Sequence, residues 1–284
     1  MKEIKVAVIG SGTMGKGIVQ VLSQSEVTSS IVWIGRSDAG CKAAYESLLS
    51  SWDRMVNKKR LSAEDAAFFS EKVIISNHYE AIKNADLIIE AVPEDMSVKH
   101  KVFRDIASYA NDSSVIASNT SSLSITELAS LTKNPENVIG LHFFNPAPVM
   151  KLVEIIVGFS TSKETASWAF DFAKALHKEP VLVNEAPGFI VNRMLIPMIN
   201  EAIGILAEGV ASAEEIDRAM KFGANHPIGP LALADLIGND VNLSIMETLH
   251  NETGDPKYRA HPLLRKMVRA NKLGRKSGSG FYNY

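Results

Sequence analysis

Short apolar runs alternate with longer amphipathic segments through the first two-thirds of the chain, and this alternation constrains the fold more than any other feature. The runs are rich in β-branched residues and occupy residues 4–9, 31–34, 73–75, 87–91, 115–117, 138–144 and 152–157. Strands separated by helices predict a mostly parallel sheet. The runs are nearly continuous in apolar character, which is typical of strands covered on both faces. The sequence therefore predicts a doubly wound α/β domain.

The pattern changes at Asn184-Glu185-Ala186-Pro187-Gly188, where proline and glycine interrupt the chain. Beyond this point, length and apolar spacing predict helices over residues 189–209, 214–222, 231–249 and 262–271, with no convincing strand between them. We therefore expect two domains, an α/β domain over residues 1–186 and an all-helical domain over residues 187–284.

The composition excludes several classes of protein. The formal net charge is −2, so no general basic field favours nucleic acid or an anionic membrane as a partner. The single cysteine, Cys41, excludes a disulfide framework and a thiolate metal cluster, and it suits a reducing cytosol. No stretch approaches the roughly 18 uninterrupted apolar residues of a membrane-spanning helix, and the first residues lack the pattern of an export signal. We expect a cytoplasmic protein without a metal site.

The first apolar run ends in a glycine-rich turn with the pattern G-x-G-x-x-G. Its residues are Gly10, Ser11, Gly12, Thr13, Met14 and Gly15, and a helical segment follows directly. The first glycine permits a tight turn, the second lets the backbone approach a pyrophosphate, and the third lets the helix pack closely on the strand. An ordinary glycine turn is the alternative. The strand before the turn, the helix after it and the second strand favour a Rossmann-like dinucleotide-binding domain.

The end of the second strand bears on the choice of cofactor. NAD enzymes usually carry an acidic residue there, which accepts hydrogen bonds from the adenosine ribose. Here the chain reads Gly35-Arg36-Ser37, so the carboxylate that would repel a 2′-phosphate is missing and a guanidinium and a hydroxyl are present. This favours NADP(H), with NAD(H) possible. Alternatively, Arg36 is a solvated loop residue or stacks on adenine. The nearby carboxylate of Asp38 also counts against a 2′-phosphate.

Two polar residues interrupt apolar strands. Glu154 lies within Leu152-Val153-Glu154-Ile155-Ile156-Val157, and His142 lies between Leu141 and Phe143. A buried ionised carboxylate without a partner is costly, so neighbouring strands are expected to pair the two side chains. The carboxylate would then fix the histidine tautomer and stabilise the imidazolium. Alternatively, the histidine bonds to backbone in the core and the glutamate faces solvent from an edge strand.

A polar loop, Asn119-Thr120-Ser121-Ser122, follows the run at residues 115–117. It lies at the carboxyl edge of the predicted sheet, where open α/β sheets bind their ligands. We assign Asn119 to the cofactor and Ser121 to a substrate oxygen. Ser124 begins the capping box Ser124-Ile125-Thr126-Glu127 and is explained as a helix cap. No G-x-S-x-G elbow surrounds Ser121, so it is not expected to act as a nucleophile.

Five segments together resemble the L-3-hydroxyacyl-CoA dehydrogenase family. They are the glycine turn, Ser118-Asn119-Thr120-Ser121-Ser122-Leu123, His142-Phe143-Phe144-Asn145-Pro146, Met150-Lys151-Leu152-Val153-Glu154 and Ala186-Pro187-Gly188-Phe189-Ile190-Val191-Asn192-Arg193. The resemblance extends to Gly274-Arg275-Lys276-Ser277-Gly278-Ser279-Gly280-Phe281-Tyr282, and so covers essentially the whole chain. The compact length is most similar to that of bacterial members that act on 3-hydroxybutyryl-CoA in butyrate fermentation.

The resemblance implies a role for each matching residue. His142 would take the proton of the 3-hydroxyl while a hydride leaves C3 for the nicotinamide, and Glu154 would orient the histidine. Ser121 and Asn192 would hold the substrate oxygen. The residues implied around the nicotinamide half of the cofactor are Glu94, Lys99, Asn145 and Lys276.

The resemblance also implies an acyl-CoA substrate and a homodimer. Arg54 and Lys58 match positions that meet the CoA phosphates, and their spacing places both on one helix face, with Lys59 and Arg60 beside them. A solvated basic helix end is the alternative. The helical domain of the family builds a dimer interface, which fits the apolar segment at residues 194–206. The sequence departs from many members of the family at Gly35-Arg36, which replaces the acidic residue expected in members that prefer NAD. This difference affects the choice of cofactor and not the reaction.

The leading hypothesis is reversible reduction of acetoacetyl-CoA to (S)-3-hydroxybutyryl-CoA. A second hypothesis is a related β-hydroxyacid or sugar-acid dehydrogenase that lacks a CoA handle, against which the basic segment around Arg54 argues. A third is a regulatory protein that senses NADP(H) without turnover, because a fold alone does not exclude it. The pairing of His142 with Glu154 argues against such a sensor.

Overall fold

The computed structural model describes residues 2–284. Contacts divide the chain into two compact units, of which the first ends at Glu185 and the second comprises Ala186–Tyr284. Within residues 2–284, no helix combines the length and the hydropathy that crossing a bilayer requires.

The first unit is an eight-stranded sheet with helices. Its strands are β1 (Ile4–Ile9), β2 (Thr28–Ile34), β3 (Val73–Ser76), β4 (Leu87–Glu90), β5 (Val115–Ser118), β6 (Val138–Phe143), β7 (Leu152–Val157) and β8 (Glu179–Asn184). Its helices are α1 (Thr13–Ser23), α2 (Asp38–Asn57), α3 (Ala63–Glu71), α4 (Met96–Tyr109), α5 (Ile125–Ala129) and α6 (Lys163–Ala175), with 3-10 turns at Tyr79–Asn84 and Pro135–Asn137.

The strand order is β3-β2-β1-β4-β5-β6-β7-β8, and all neighbours are parallel except β6 and β7. The predicted doubly wound, mostly parallel sheet is therefore confirmed. Large side chains from the sheet and from the helices form one core, which includes Trp33 of β2, Trp52 of α2 and Phe172 of α6. Burying such apolar and aromatic surface between the sheet and its helices is the main driving force for this architecture.

One strand, β8, was not predicted. It includes Glu179, Pro180 and Asn184, and most of its residues are exposed. It pairs only with β7 and forms the edge of the sheet. An edge strand needs no continuous apolar run and tolerates proline, so the signal that marks the buried strands is missing here.

Side-chain caps start most of the helices in the first unit. The capping oxygens are those of Ser37 in α2, Ser62 in α3, Asp95 in α4, Ser124 in α5 and Ser162 in α6. The predicted cap at Ser124 is confirmed, because its Oγ accepts the Glu127 amide proton at 3.0 Å. Each cap satisfies a backbone donor that a helix leaves unpaired in its first turn.

The glycine turn connects β1 to α1 in a crowded position. Gly10 has φ +121°, and a Cβ on it would lie 2.4 Å from the carbonyl oxygen of Ala91. A Cβ on Gly15 would lie 1.9 Å from the carbonyl oxygen of Gly10. Trp33 fixes this same carbonyl by donating a 2.9 Å hydrogen bond from Nε1. A Cβ on Gly12 would have no atom within 4 Å. The three glycines thus serve different purposes.

The second unit contains α7 (Val191–Ala207), α8 (Ala213–Gly223), α9 (Pro230–Ile237), α10 (Asn239–Thr253) and α11 (Pro262–Arg269), with 3-10 turns at Pro256–Tyr258 and Arg275–Ser277. Apart from isolated bridges near the end of the chain, between Gly274 and Ser279 and between Ser279 and Asn283, its regular elements are helical. Its core includes Ile199, Leu231, Met246 and Leu249.

The single helix predicted over residues 231–249 was wrong, because the structure has two helices there. Gly238 separates α9 from α10 with φ +108°, a conformation that no α-helix contains. Its amide still donates to the Ala234 carbonyl, which ends α9. The apolar spacing continues across the break, so periodicity alone did not reveal it.

Replacing Gly15 by alanine should destabilise the first unit, because the new methyl group would overlap the Gly10 carbonyl. We expect Gly15→Ala to lower the free energy of unfolding by about 1–3 kcal/mol, as overpacking does in other proteins. Gly12→Ser is the matched control in the same turn, with open space for its side chain. We expect it to stay within about 0.5 kcal/mol of the parent. Urea denaturation measures both, and equal losses in the two variants would contradict the packing role of Gly15.

Candidate active site

The carboxyl edge of the parallel strands collects most of the predicted site residues of the first unit. The glycine turn follows β1, Ala91 follows β4, and residues 119–122 follow β5. The order of the strands reverses at β1: β2 lies on one side of it, and the chain then crosses over to place β4 on the other side. In open α/β sheets, ligands bind in the crevice at such a switch point.

His142 and Glu154 face each other across the antiparallel pair β6 and β7, as direct register partners. The histidine Nδ1 lies 2.8 Å from Glu154 Oε2, and the two residues are only 3% and 1% exposed. An ionised carboxylate can only accept, so Nδ1–H donates and Nε2 carries the lone pair. The expected pairing is therefore present. Glu154 does not face solvent, and β7 is not an edge strand. The pair can accept a proton at Nε2 and stabilise the resulting charge.

The loop after β5 is organised by Glu94. One carboxylate oxygen, Oε1, accepts hydrogen bonds from Thr120 Oγ1 at 2.7 Å, from the Ser121 amide at 2.7 Å and from the Ser122 amide at 3.0 Å. Asn119 bonds in another direction, because its Oδ1 accepts the Phe143 amide proton at 2.8 Å. The structure thus brings predicted residues Glu94, Asn119 and Ser121 together, close to the end of β6.

Lys99 is buried beneath this loop and bonded to two carboxylates. Its Nζ lies 2.8 and 3.0 Å from the oxygens of Glu90 and 3.3 Å from Glu94 Oε2. Lys99 was predicted from the sequence, whereas Glu90, the last residue of β4, was not. A carboxylate at the end of an otherwise apolar strand is the same signal that singled out Glu154, so Glu90 could have been found.

A second residue that the sequence analysis missed is Lys178. Its Nζ donates to the carbonyls of Ala147 at 2.6 Å and Met150 at 2.8 Å, and burial lowers the pKa of its ammonium. These carbonyls belong to the loop after β6, which carries the exposed Asn145. Lys178 therefore holds the backbone of the segment that follows His142 in place. It lies about 30 residues from these partners, just before β8, so no local pattern identified it.

The end of β2 has no room for an added side chain at Gly35. A Cβ there would lie 2.5 Å from Cys41 Sγ and 3.4 Å from Ser11 Oγ. Arg36 is exposed. Ser37 caps α2 by accepting the Gly40 amide proton at 3.2 Å, which leaves its hydroxyl proton for another partner.

The remaining predicted residues lie elsewhere. Arg54 is in the last turn of α2 and Lys58 caps that helix, and both are exposed. Asn192 is a buried residue of α7 in the second unit. Lys276, also in the second unit, forms an ion pair with Asp240 at 2.6 Å. The relation of Asn192 and Lys276 to His142 stays a prediction.

The glycine turn suits a dinucleotide, because the open space beside Gly12 is where a pyrophosphate would meet the N-terminus of α1. A dinucleotide supplies redox chemistry, and a buried histidine held by a carboxylate supplies the proton acceptor that oxidation of an alcohol requires. The fold and the site together define a nicotinamide-dependent dehydrogenase.

Comparison with known proteins identifies the family. The family model described as "3-hydroxyacyl-CoA dehydrogenase, NAD binding domain" matches residues 5–186, and the one described as "3-hydroxyacyl-CoA dehydrogenase, C-terminal domain" matches residues 188–284. The chain belongs to the 3-hydroxyacyl-CoA dehydrogenase family, so the predicted resemblance is confirmed.

Individual relatives span nearly the whole chain. A 3-hydroxybutyryl-CoA dehydrogenase of Clostridioides difficile is 53% identical over 281 residues, which cover 99% of each chain. The mitochondrial hydroxyacyl-coenzyme A dehydrogenase of Homo sapiens is 40% identical, over 98% of this chain and 90% of its own. The crystal structure of an (S)-3-hydroxybutyryl-CoA dehydrogenase from Ralstonia eutropha superposes with a TM-score of 0.95 at 46% identity, covering 100% of this chain and 99% of that one.

Proposed function

We propose that this protein is an (S)-3-hydroxybutyryl-CoA dehydrogenase, which interconverts 3-hydroxybutyryl-CoA and acetoacetyl-CoA in short-chain fatty acid or butyrate metabolism. The observation that carries the proposal is the buried pairing of His142 with Glu154 near the carboxyl edge of the parallel strands in a dinucleotide-binding sheet. The relatives from Clostridioides difficile and Ralstonia eutropha, which bear this activity in their names, support the substrate class.

In the proposed oxidation, His142 Nε2 takes the proton of the 3-hydroxyl as the C3–O bond becomes a carbonyl. A bound nicotinamide cofactor would supply the hydride acceptor that this oxidation requires. Glu154 stabilises the imidazolium that forms and keeps the ring in the tautomer that can accept. In the reverse direction, the imidazolium returns the proton to the oxygen. Burial of the pair excludes water, which strengthens the interaction between the two charges.

The remaining site residues are proposed to position the reactants. Ser121 and Asn192 hold the oxygen on C3. Asn119 contacts the cofactor, and its nicotinamide half is surrounded by Asn145, Glu94, Lys99 and Lys276. The contacts of Glu94 with residues 120–122 support the assignment of this loop, because they hold its backbone in one arrangement. The exposed cations Arg54 and Lys58, at the end of α2, bind the CoA phosphates.

We also propose a homodimer formed through the helical unit. Its exposed apolar side chains support this, since Met194 is 73% and Phe222 is 80% exposed. Light scattering would then give twice the chain mass of 30.9 kDa, and a monomer at micromolar concentration would contradict the proposal. A cytoplasmic location is proposed on the free, buried Cys41.

The substrate is tested by following reduced-cofactor absorbance with a series of 3-ketoacyl-CoA thioesters from four to sixteen carbons and with free acetoacetate. We expect the highest kcat/KM with acetoacetyl-CoA and little turnover of the free acid. Arg54→Ala combined with Lys58→Ala should raise KM for the thioester roughly tenfold, because two charge-assisted contacts are lost. Lys163→Ala, at an exposed position of α6, is the control. Equal efficiency with the free acid would refute the assignment of a CoA substrate.

The cofactor is proposed to be NADP(H) in preference to NAD(H), because Gly35 leaves no carboxylate at the ribose position and Arg36 offers a guanidinium beside it. We expect a lower KM for NADPH than for NADH. Gly35→Asp combined with Cys41→Ala should reverse this preference, since removing Cys41 Sγ makes room for the new side chain. Cys41→Ala alone is the control and should keep the preference of the parent. A clear preference of the parent for NADH would refute the proposal.

A further inference from the structure

Two opposite charges are buried together where β4 ends and α4 begins. Glu90 is completely buried and Lys99 is 1% exposed. Lys99 Nζ bonds to both oxygens of Glu90, at 2.8 and 3.0 Å. Because desolvation of both ions offsets their attraction, a buried ion pair is weak evidence for a contribution to stability, and a well-packed apolar pair would often serve equally well. The arrangement of these charges therefore calls for another explanation.

Lys99 connects Glu90 to the loop that carries Ser121. Its Nζ lies 3.3 Å from Glu94 Oε2, while the other oxygen of Glu94 receives the amide protons of Ser121 and Ser122. The ammonium is thus shared between two carboxylates. Because Glu90 holds the ammonium in place, the Glu94 carboxylate has a fixed partner on one side and its second oxygen remains directed at the loop.

Glu90 also anchors the start of that loop. Its Oε2 accepts the hydroxyl proton of Ser118, the last residue of β5, at 2.6 Å. Its Oε1 accepts the Val92 amide proton at 2.7 Å, and its backbone carbonyl accepts the Asn119 amide proton at 2.8 Å. Glu90 therefore holds the loop at two points. It bonds directly to Ser118, and it acts on Ser121 through Lys99 and Glu94.

We propose that Glu90 is a positioning residue for the dehydrogenase reaction: through Lys99, Glu94 and Ser118 it holds residues 119–122 in the arrangement that presents Ser121 to the substrate oxygen. The inference rests on the proposed function. Glu90 touches neither substrate nor cofactor in this account. Its negative charge is the part that matters, because without it the ammonium of Lys99 has Glu94 as its one remaining carboxylate and draws it away from the loop amides.

The kinetic test uses Glu90→Gln, which keeps the size of the side chain and removes its charge. We expect kcat/KM for acetoacetyl-CoA to fall about tenfold or more, since small displacements of positioning groups have effects of this size. The Kd of the cofactor should stay within about threefold of the parent, because the glycine turn holds the pyrophosphate.

A matched pair of variants uses two buried serines, one at each end of β5, and the one that does not contact Glu90 is the control. Ser118 donates to Glu90 at 2.6 Å, and Ser114, just before the strand, donates to the Ala85 carbonyl at 2.6 Å. Ser118→Ala and Ser114→Ala each remove one short buried hydrogen bond donated by a serine hydroxyl, so a general loss of stability would affect both. Ser118→Ala also removes the acceptor of the Thr120 amide proton, at 3.2 Å, which is a second contact with the loop. We expect kcat/KM to fall only in Ser118→Ala.

Hydrogen exchange at the amides of Ser121 and Ser122 measures how firmly the loop is held, and it requires no substrate. Exchange should be faster in Glu90→Gln and Ser118→Ala than in the parent, and unchanged in Ser114→Ala. Kinetics of Glu90→Gln within twofold of the parent, or unchanged amide exchange in that variant, would overturn the inference. A parent enzyme that does not reduce acetoacetyl-CoA would refute the proposed function instead, and the exchange measurement would still decide whether Glu90 orders the loop.

Discussion

The antiparallel pairing of β6 with β7 is the constraint on which the site depends. It places His142 directly opposite Glu154, so that two side chains that would each be costly to bury alone satisfy one another. A shift of one residue in the register would turn one of them to the opposite face of the sheet and break this hydrogen bond. The apolar residues around them, including Leu141 and Ile155, hold the register because they are completely buried. The packing of the core therefore enforces the geometry of the acid-base pair.

The same principle recurs at the end of β4. Glu90 and Lys99 are buried polar groups whose partners are all supplied by the edge of the sheet where the glycine turn lies. A Cβ on Gly10 would lie 2.4 Å from the carbonyl oxygen of Ala91, the residue after Glu90. The backbone of the glycine turn and the buried ion pair thus occupy neighbouring positions. Rigid strand ends carry the polar groups, and the loop after β5 is fixed both by Glu94 and by its own residue Thr120.

The sequence was sufficient to predict features that depend on local pattern. The buried strands were found because each is an apolar run, the glycine turn because its spacing is specific, and the pairing of His142 with Glu154 because both interrupt such runs. The edge strand β8 was missed, since exposure on both faces removes the apolar pattern. The break at Gly238 was missed because apolar spacing is the same on both sides of it. Lys178 was missed because its partners, Ala147 and Met150, are brought to it only by the fold.

The central claim is that His142 accepts the substrate proton, and His142→Gln tests it most directly. Cofactor Kd and turnover of acetoacetyl-CoA would be measured on the same preparation, with circular dichroism to verify folding. Turnover is expected to fall about 100-fold or more, because a general base contributes at least this much, while the cofactor Kd is unchanged. Turnover within twofold of the parent, with the cofactor bound normally, would contradict the assigned chemistry.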